Sequence, residues 1–146
     1  MNRIHEELRI EAPIEHVWAF LCDATRWHDW DPRTEYSDVS GPLDRVGTTF
    51  VGTMRLMGFE MKETMTVDEV EKPRLLHIRS GMGAFFYRFE AEGPATRMTL
   101  EGEYEMPGHL PGFIQKLVTK GWMERYTRRQ LEDFKALAEV EVPVAA

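Results

Sequence analysis

The segment 84-AFFYRFEAEGPATRMTLEGEYEM-106 decides the fold. It holds two runs in which apolar and charged residues alternate, and Gly93-Pro94 separates them. A period of two residues is typical of β-strands with one buried face, and glycine and proline favour the turn between them. The apolar faces would carry Phe85, Tyr87, Phe89 and Ala91 in the first strand and Met98, Leu100, Gly102, Tyr104 and Met106 in the second. The segment therefore predicts an antiparallel hairpin whose inner face is rich in aromatic residues and methionine.

The same period of two residues continues on both sides of this hairpin. Turn residues such as Met57-Gly58 separate the alternating runs. We predict seven strands, at residues 3–10, 34–39, 47–56, 59–70, 74–80, 84–92 and 96–106. The links between the six strands from residue 34 onward are short, which favours an antiparallel meander. In the strand 74–80 we expect Leu76, Ile78 and Ser80 to face inward and His77 to face outward.

Helical patterns lie at both ends of this run of strands. Apolar residues follow Pro13 at spacings of three and four residues and predict a first helix, its stripe formed by Ile14, Val17, Trp18 and Leu21. Asp23 is a suitable N-cap for a second short helix at 24–28. A long C-terminal helix is predicted at roughly 112–139. Its apolar positions drift around the helix axis, as expected for a helix that lies on a twisted sheet.

This order of elements predicts a single α+β domain over residues 1–146. The long helix must cover the concave face of the sheet, because a short helix alone could not bury it. The inner faces hold methionine and aromatic residues in place of the branched aliphatic residues of close-packed cores. Methionine is flexible and adapts to irregular shapes, as it does at binding surfaces. The pattern favours a cavity for an apolar small molecule, with a methionine-rich solid core as the alternative.

Glu63 interrupts an apolar face that Phe59, Met61, Met65 and Val67 would otherwise form. A buried carboxylate is costly unless it is protonated or accepts a hydrogen bond. We interpret Glu63 as a ligand anchor or a general acid or base. A strand end or bulge that exposes its side chain to water is the alternative. Further polar contacts to a ligand could come from Tyr87, Tyr104, Tyr126 and Gln130.

The composition limits the partners and the compartment. A net charge of −7 argues against a nucleic-acid or anionic-membrane partner, and no segment is apolar enough to predict a membrane span. The single cysteine, Cys22, is interpreted as a packing residue, and the lack of a signal-peptide core predicts a cytoplasmic protein. The segment 28–31 offers three potential metal ligands without a convergent partner, and no phosphate-binding loop is present. We therefore predict no metal and no cofactor.

Two stretches resemble a known superfamily. The segment 10-IEAPIEHVWAFL-21, with Trp30-Asp31-Pro32 after it, is similar to the opening of the START-like (SRPBCC) superfamily, in its polyketide cyclase/dehydrase-like family. The segments 89-FEAEGPATRMTL-100 and 131-LEDFKALAE-139 resemble its closing half. The resemblance implies a helix-grip fold, in which a seven-stranded antiparallel sheet curves around the long C-terminal helix and two short helices follow strand one. It also implies binding of lipids, polyketides or other hydrophobic molecules between sheet and helix.

The resemblance implies a site by position. Its ligand-binding residues would be Phe50, Met54, Phe59, Met61, Met65, Phe85, Tyr87, Met98, Leu100, Tyr104, Met123 and Tyr126, with Trp30 near the mouth and Gln130 as a further polar contact. The leading hypothesis is a carrier or sensor of a hydrophobic small molecule. One alternative is a polyketide cyclase or dehydratase that uses Glu63 with a tyrosine for proton transfer. The other is a co-chaperone-like interaction module, although the outward-facing charged positions show no apolar patch.

Overall fold

The computed structural model describes residues 2–106 and 108–141, apart from the side chain of Lys120. The strands are β1 Asn2–Ile10, β2 Thr34–Ser37, β3 Thr49–Leu56, β4 Phe59–Glu71, β5 Leu75–Arg79, β6 Gly83–Glu92 and β7 Ala95–Tyr104. They form one antiparallel sheet in the order β1-β7-β6-β5-β4-β3-β2. The predicted α+β architecture is confirmed. The predicted turn at Pro107 and the tail from residue 142 lie outside the described residues.

The helices lie at the two predicted places in the chain. Between β1 and β2 come α1 Ile14–Cys22, a 3-10 turn Ala24–Arg26 and α2 Trp27–Trp30. Asp23 caps the turn as predicted, because its carboxylate accepts a hydrogen bond from the Thr25 backbone N–H at 3.1 Å. After the sheet come α3 Gly112–Leu117 and α4 Lys120–Val140. The long helix α4 packs across the sheet and is joined to β1 by Arg128–Glu6 and by Lys135 Nζ, which donates to the Arg9 carbonyl oxygen at 2.7 Å.

The predicted helix at 112–139 divides at Val118 and Thr119, which corrects the sequence prediction. Thr119 has an extended backbone (φ −78°, ψ 170°), and its hydroxyl accepts a hydrogen bond from the Trp122 N–H at 3.2 Å. Threonine is a favourable N-cap, so a new helix begins at this residue. The drift of apolar positions along this segment therefore reflects two helices with different axes rather than one helix on a twisted sheet.

Backbone conformation explains where strands end. β2 stops at Ser37 because Asp38 has a positive φ of 53°, two residues before the predicted end. The hairpin between β3 and β4 turns at Met57-Gly58, as predicted, and both residues have positive φ (50° and 84°). Two successive positive φ values match the right-handed twist of a tight hairpin. The register of β4 with β5 shifts between Val67 and Glu69, and such a bulge bends the sheet.

The inner face of the sheet is filled at one end by aromatic side chains from the short helices. Trp27 of α2 lies edge-on to Phe50 with ring centroids 5.2 Å apart, and Trp18 of α1 lies edge-on to Phe89 at 5.8 Å. At the other end a smaller apolar group joins the sheet to the α3 region, formed by Met61, Leu110, Ile114 and Val118. The two groups leave a gap between them under α4.

The phase of β5 agrees with the sequence prediction. Leu76 and Ile78 are fully buried on the inner face. His77 lies on the outer face, where its ring stacks on Phe86 with centroids 4.1 Å apart.

Candidate functional site

A cavity of about 170 Å³ occupies the gap between the concave face of the sheet and α4. Its wall is formed by inward-facing residues of β1, β2, β3, β4, β6 and β7, by Trp27 of α2, by one side of α4 and by residues of the connecting segments. The two core groups close its ends, with Tyr87 from the aromatic group at one end and Met61 from the smaller group at the other. The sheet and α4 therefore leave a small, partly open hollow rather than a solid core along this part of the sheet.

Methionine dominates this wall. Six of the nine methionines line the cavity, namely Met54, Met61, Met65, Met82, Met106 and Met123. Gly52 makes room for one of them, since a Cβ atom at Gly52 would lie 2.5 Å from the Met65 methyl carbon. Unbranched thioether side chains change rotamer readily, so the cavity can change shape around different molecules.

The structure brings together most of the predicted site residues. Those on the cavity wall are Met54, Met61, Glu63, Met65, Phe85, Tyr87, Leu100, Met123, Tyr126 and Gln130. They come from β3, β4, β6, β7 and α4, and the strand alternation explains why the strand side chains share one face. Sequence reasoning did not identify several further wall residues, among them Trp27, Tyr36, Met82 and Trp122.

Four predicted site residues lie instead in packed regions away from this cavity. Trp30 is 1% exposed and packs edge-on against Phe134 of α4, so it is not at an open mouth. Phe50 and Met98 are completely buried in the aromatic core group. Tyr104 is 1% exposed, and its hydroxyl has no hydrogen-bond partner among the described residues. Phe50, Met98 and Tyr104 share the sheet's inner face without reaching its hollow part, and Trp30 packs against α4 from α2.

Phe59 lies on the surface, which corrects its predicted place in the cavity. Its side chain is 36% exposed and packs edge-on against Phe113 of α3, with ring centroids 5.9 Å apart. Phe113 is itself 58% exposed. The first residue of β4 lies beside α3 rather than under α4, so its inward phase does not bury it. The two rings form an exposed apolar pair that the sequence pattern did not reveal.

A buried carboxylate beside the cavity was missed by the sequence prediction. Asp31 is 3% exposed and accepts hydrogen bonds from two tyrosine hydroxyls, from Tyr36 at 2.5 Å and from Tyr126. Thr34 lies 3.3 Å from the Tyr126 hydroxyl and completes the network. Tyr36, Tyr126 and Thr34 all lie on the cavity wall. The network ties the end of α2 to β2 and α4 and so holds one side of the wall in place.

Burial, together with the Asp31 carboxylate, raises the pKa of three tyrosines in this region. Burial raises the pKa of Tyr36 well above its usual value, and the Asp31 carboxylate raises it further. Burial and then Asp31 likewise raise the pKa of Tyr126, and the pKa of Tyr87 is raised by the same two causes. The phenol oxygens of Tyr36 and Tyr126 keep acceptor capacity, because their protons are committed to Asp31.

Glu63 occupies a different part of the wall. Its side chain is partly buried, and within the described residues its carboxylate makes no hydrogen bond and no ion pair. Gly81 lies directly beside it, since a Cβ atom at Gly81 would be 2.7 Å from Glu63 Oε2. The bulge in β4 lies several residues away, between Val67 and Glu69, so it does not turn Glu63 outward.

The segment 28–31 does not form a metal centre. His28 pairs with Asp29 at the surface, at 3.2 Å, whereas Asp31 is turned inward to the tyrosines. In the described part of the chain no three His, Cys, Asp or Glu side chains converge in a way that could hold a metal ion. Cys22 is buried, and burial raises the pKa of its thiol to about 12, which suits a packing residue rather than a nucleophile.

Comparison with known proteins identifies the family. A family model described as polyketide cyclase / dehydrase and lipid transport matches residues 1–139. The chain belongs to this family. No curated protein is similar enough in sequence to count as a relative. The resemblance to START-like, polyketide cyclase-like proteins seen in the sequence is thereby confirmed.

Solved structures share the fold of this family member at low sequence identity. The Zhui aromatase/cyclase from Streptomyces sp. R1128 has a TM-score of 0.76 and 18% identity, over 99% of this chain and 97% of that one. A START superfamily protein from Mycobacterium smegmatis has a TM-score of 0.71 and 10% identity, over 96% and 99%. TTHA0849 from Thermus thermophilus has a TM-score of 0.71 and 21% identity, over 94% and 97%. At these identities the likeness shows the fold alone.

In the described residues, no helix of this family member is long and apolar enough to cross a membrane.

Proposed function

We propose that this protein binds a hydrophobic small molecule between the sheet and α4, as a cytoplasmic carrier or sensor. The observation that supports this most strongly is the methionine-lined cavity. A dry apolar cavity of about 150 Å³ holds a benzene molecule, and the cavity here is slightly larger at about 170 Å³. Burial of an apolar molecule on such a wall supplies the binding energy, and a few polar groups orient the molecule.

The proposal predicts that the protein captures a hydrophobe during expression. Native mass spectrometry of the purified protein should show a population heavier than the bare chain, and organic extraction should release the bound molecule. The bound fraction should fall after the protein is unfolded, washed and refolded, because the cavity exists only in the folded state. A protein that stays bare in native spectra and takes up no apolar probe after refolding would contradict carrier and sensor roles alike.

The second candidate is a cyclase or dehydratase that works in the same cavity. It is favoured by Glu63, a carboxylate without a partner among the described residues on a largely apolar wall, which is a suitable position for a general base. The Zhui protein, which shares the fold, is an aromatase/cyclase. In the spectrometry experiment, an enzyme would convert an added polyketide over time, and Glu63→Gln would stop the conversion while the polyketide still bound. If the wild-type protein does not convert the polyketide, the enzyme role is contradicted and the carrier or sensor role remains.

A further inference from the structure

The charged group on the cavity wall, as the described residues form it, is the carboxylate of Glu63. No lysine, arginine or histidine belongs to that wall. Behind it, Asp31 accepts hydrogen bonds from Tyr36 and Tyr126, and the Arg33 guanidinium lies 5.8 Å from the centroid of the Tyr126 ring. An acid or a phosphate inside this cavity would be desolvated beside Glu63 without a cation on the described wall to balance it, which is unfavourable.

Glu63 differs from Glu60 and Asp68 of the same strand. Glu60 pairs with Arg55 at 3.2 Å, and Asp68 pairs with Arg79 at 2.9 Å, with side chains 49% and 33% exposed. Glu63 lies on the cavity wall, where no described cation reaches it, and Gly81 leaves the space that its Oε2 occupies. A partly desolvated carboxylate gains most from a new hydrogen-bond donor, because a bond to a charged acceptor is stronger than a neutral one.

None of the described wall groups donates a hydrogen bond to Glu63 in this structure. Ser80 accepts a hydrogen bond from the Met82 backbone N–H at 3.2 Å, and the hydroxyl protons of Tyr36 and Tyr126 are directed to Asp31. The carboxylate of Glu63 is therefore open to a donor from solvent or from a bound molecule.

We propose that the ligand is a neutral molecule of about one aromatic ring that donates an O–H hydrogen bond to Glu63, and that carboxylic acids and phosphates are excluded. The ring follows from the volume of about 170 Å³, and the donor follows from Glu63. This inference rests on the proposed binding function, and it specifies the class of molecule that the same cavity accepts. A simple phenol is the smallest member of that class.

Calorimetric titration with three matched probes tests the inference. 4-Methylphenol carries the donor, toluene lacks it, and 4-methylbenzoate replaces it with an anion. We expect 4-methylphenol to bind about tenfold tighter than toluene, which is the lower end of the range for a hydrogen bond to a charged group. We expect 4-methylbenzoate to bind at least about tenfold more weakly than 4-methylphenol, because its charge is not balanced on the wall.

Three substitutions test whether Glu63 causes the preference for 4-methylphenol. Glu63→Met keeps an unbranched side chain of similar length and should lower the preference for 4-methylphenol over toluene about tenfold. Glu60→Met makes the same change on the exposed side of the same strand and should leave the preference intact. Gly81→Ala should lower the preference without altering Glu63 chemically, because the new methyl group displaces its carboxylate.

The possible outcomes separate this inference from the proposed function. If all three probes bind and Glu63→Met leaves the preference unchanged, the inference is wrong and the binding function stands. If 4-methylbenzoate binds as tightly as 4-methylphenol, the exclusion of acids is wrong. If no probe binds but a larger hydrophobe co-purifies, the proposed size and donor are wrong and the binding function again stands. If no probe binds and nothing co-purifies, both are wrong.

Discussion

Met65→Trp is expected to abolish binding of apolar molecules while the protein stays folded. Met65 lies on β4 with its methyl carbon over Gly52, and its side chain forms part of the cavity wall. An indole ring at this position would take up much of a hollow of about 170 Å³ and leave no space for a second ring. We expect affinity for toluene to fall at least about 100-fold, since the binding energy comes from apolar burial in this space.

The same substitution should cost little stability. Enlarging a side chain in a filled core costs about 1–3 kcal/mol, but here the added atoms enter empty space and gain contacts. Val140→Trp is a matched control, because Val140 is 82% exposed at the end of α4 and the new ring would face solvent. Toluene binding is measured by calorimetry, and stability by urea unfolding. Unchanged toluene affinity in Met65→Trp would show that apolar molecules bind elsewhere.

Asp31→Ala is expected to destabilise the protein by about 3–5 kcal/mol, because it leaves two tyrosine hydroxyls without their acceptor. Tyr36 and Tyr126 both donate to this carboxylate, and Asp31 itself is 3% exposed. Asp31→Asn should cost less, since its amide oxygen still accepts a hydrogen bond. The measurement is the free energy of unfolding in urea, obtained by linear extrapolation.

Asp29 offers a control two residues away. It pairs with Arg26 at 2.7 Å in a partly exposed position, and exposed ion pairs contribute about 0–1 kcal/mol. Asp29→Ala should therefore change the free energy of unfolding by less than about 1 kcal/mol. Equal losses for Asp31→Ala and Asp29→Ala would mean that the tyrosine–aspartate network does not hold the wall together.

Strand alternation made most of the sheet predictable. The phase of β6 and β7 placed Phe85, Tyr87 and Leu100 on the inner face because a strand has a period of two whatever its tertiary surroundings. Position along a strand was harder to predict. Phe50 and Met98 share the correct face with the cavity residues, but α1 and α2 fill the sheet at their end. Phase specifies the face of a sheet and does not specify which part of that face a helix covers.

The break in the C-terminal helix and the Asp31 network were missed for different reasons. Thr119 falls within a continuous helical pattern, and only its extended backbone shows that it caps a new helix. Asp31 and Tyr126 are far apart in sequence, so only the folded chain brings the carboxylate to its donor. The sequence pattern offered Asp31 only as one of three potential metal ligands in the segment 28–31. The position of Asp31 next to Trp30 and close to Trp27 was the one local sign in the sequence that its carboxylate is buried.

The most direct test is a nuclear magnetic resonance titration of carbon-13-labelled methionine methyl groups with toluene. If the cavity binds an apolar guest, the methyl signals of Met54, Met61, Met65, Met82, Met106 and Met123 should shift together and saturate. The methyl signals of Met57, which is 65% exposed, and of the fully buried Met98 should not shift. Shifts confined to Met57, or no saturable shift among the six wall methionines, would contradict a guest-binding hollow between the sheet and α4.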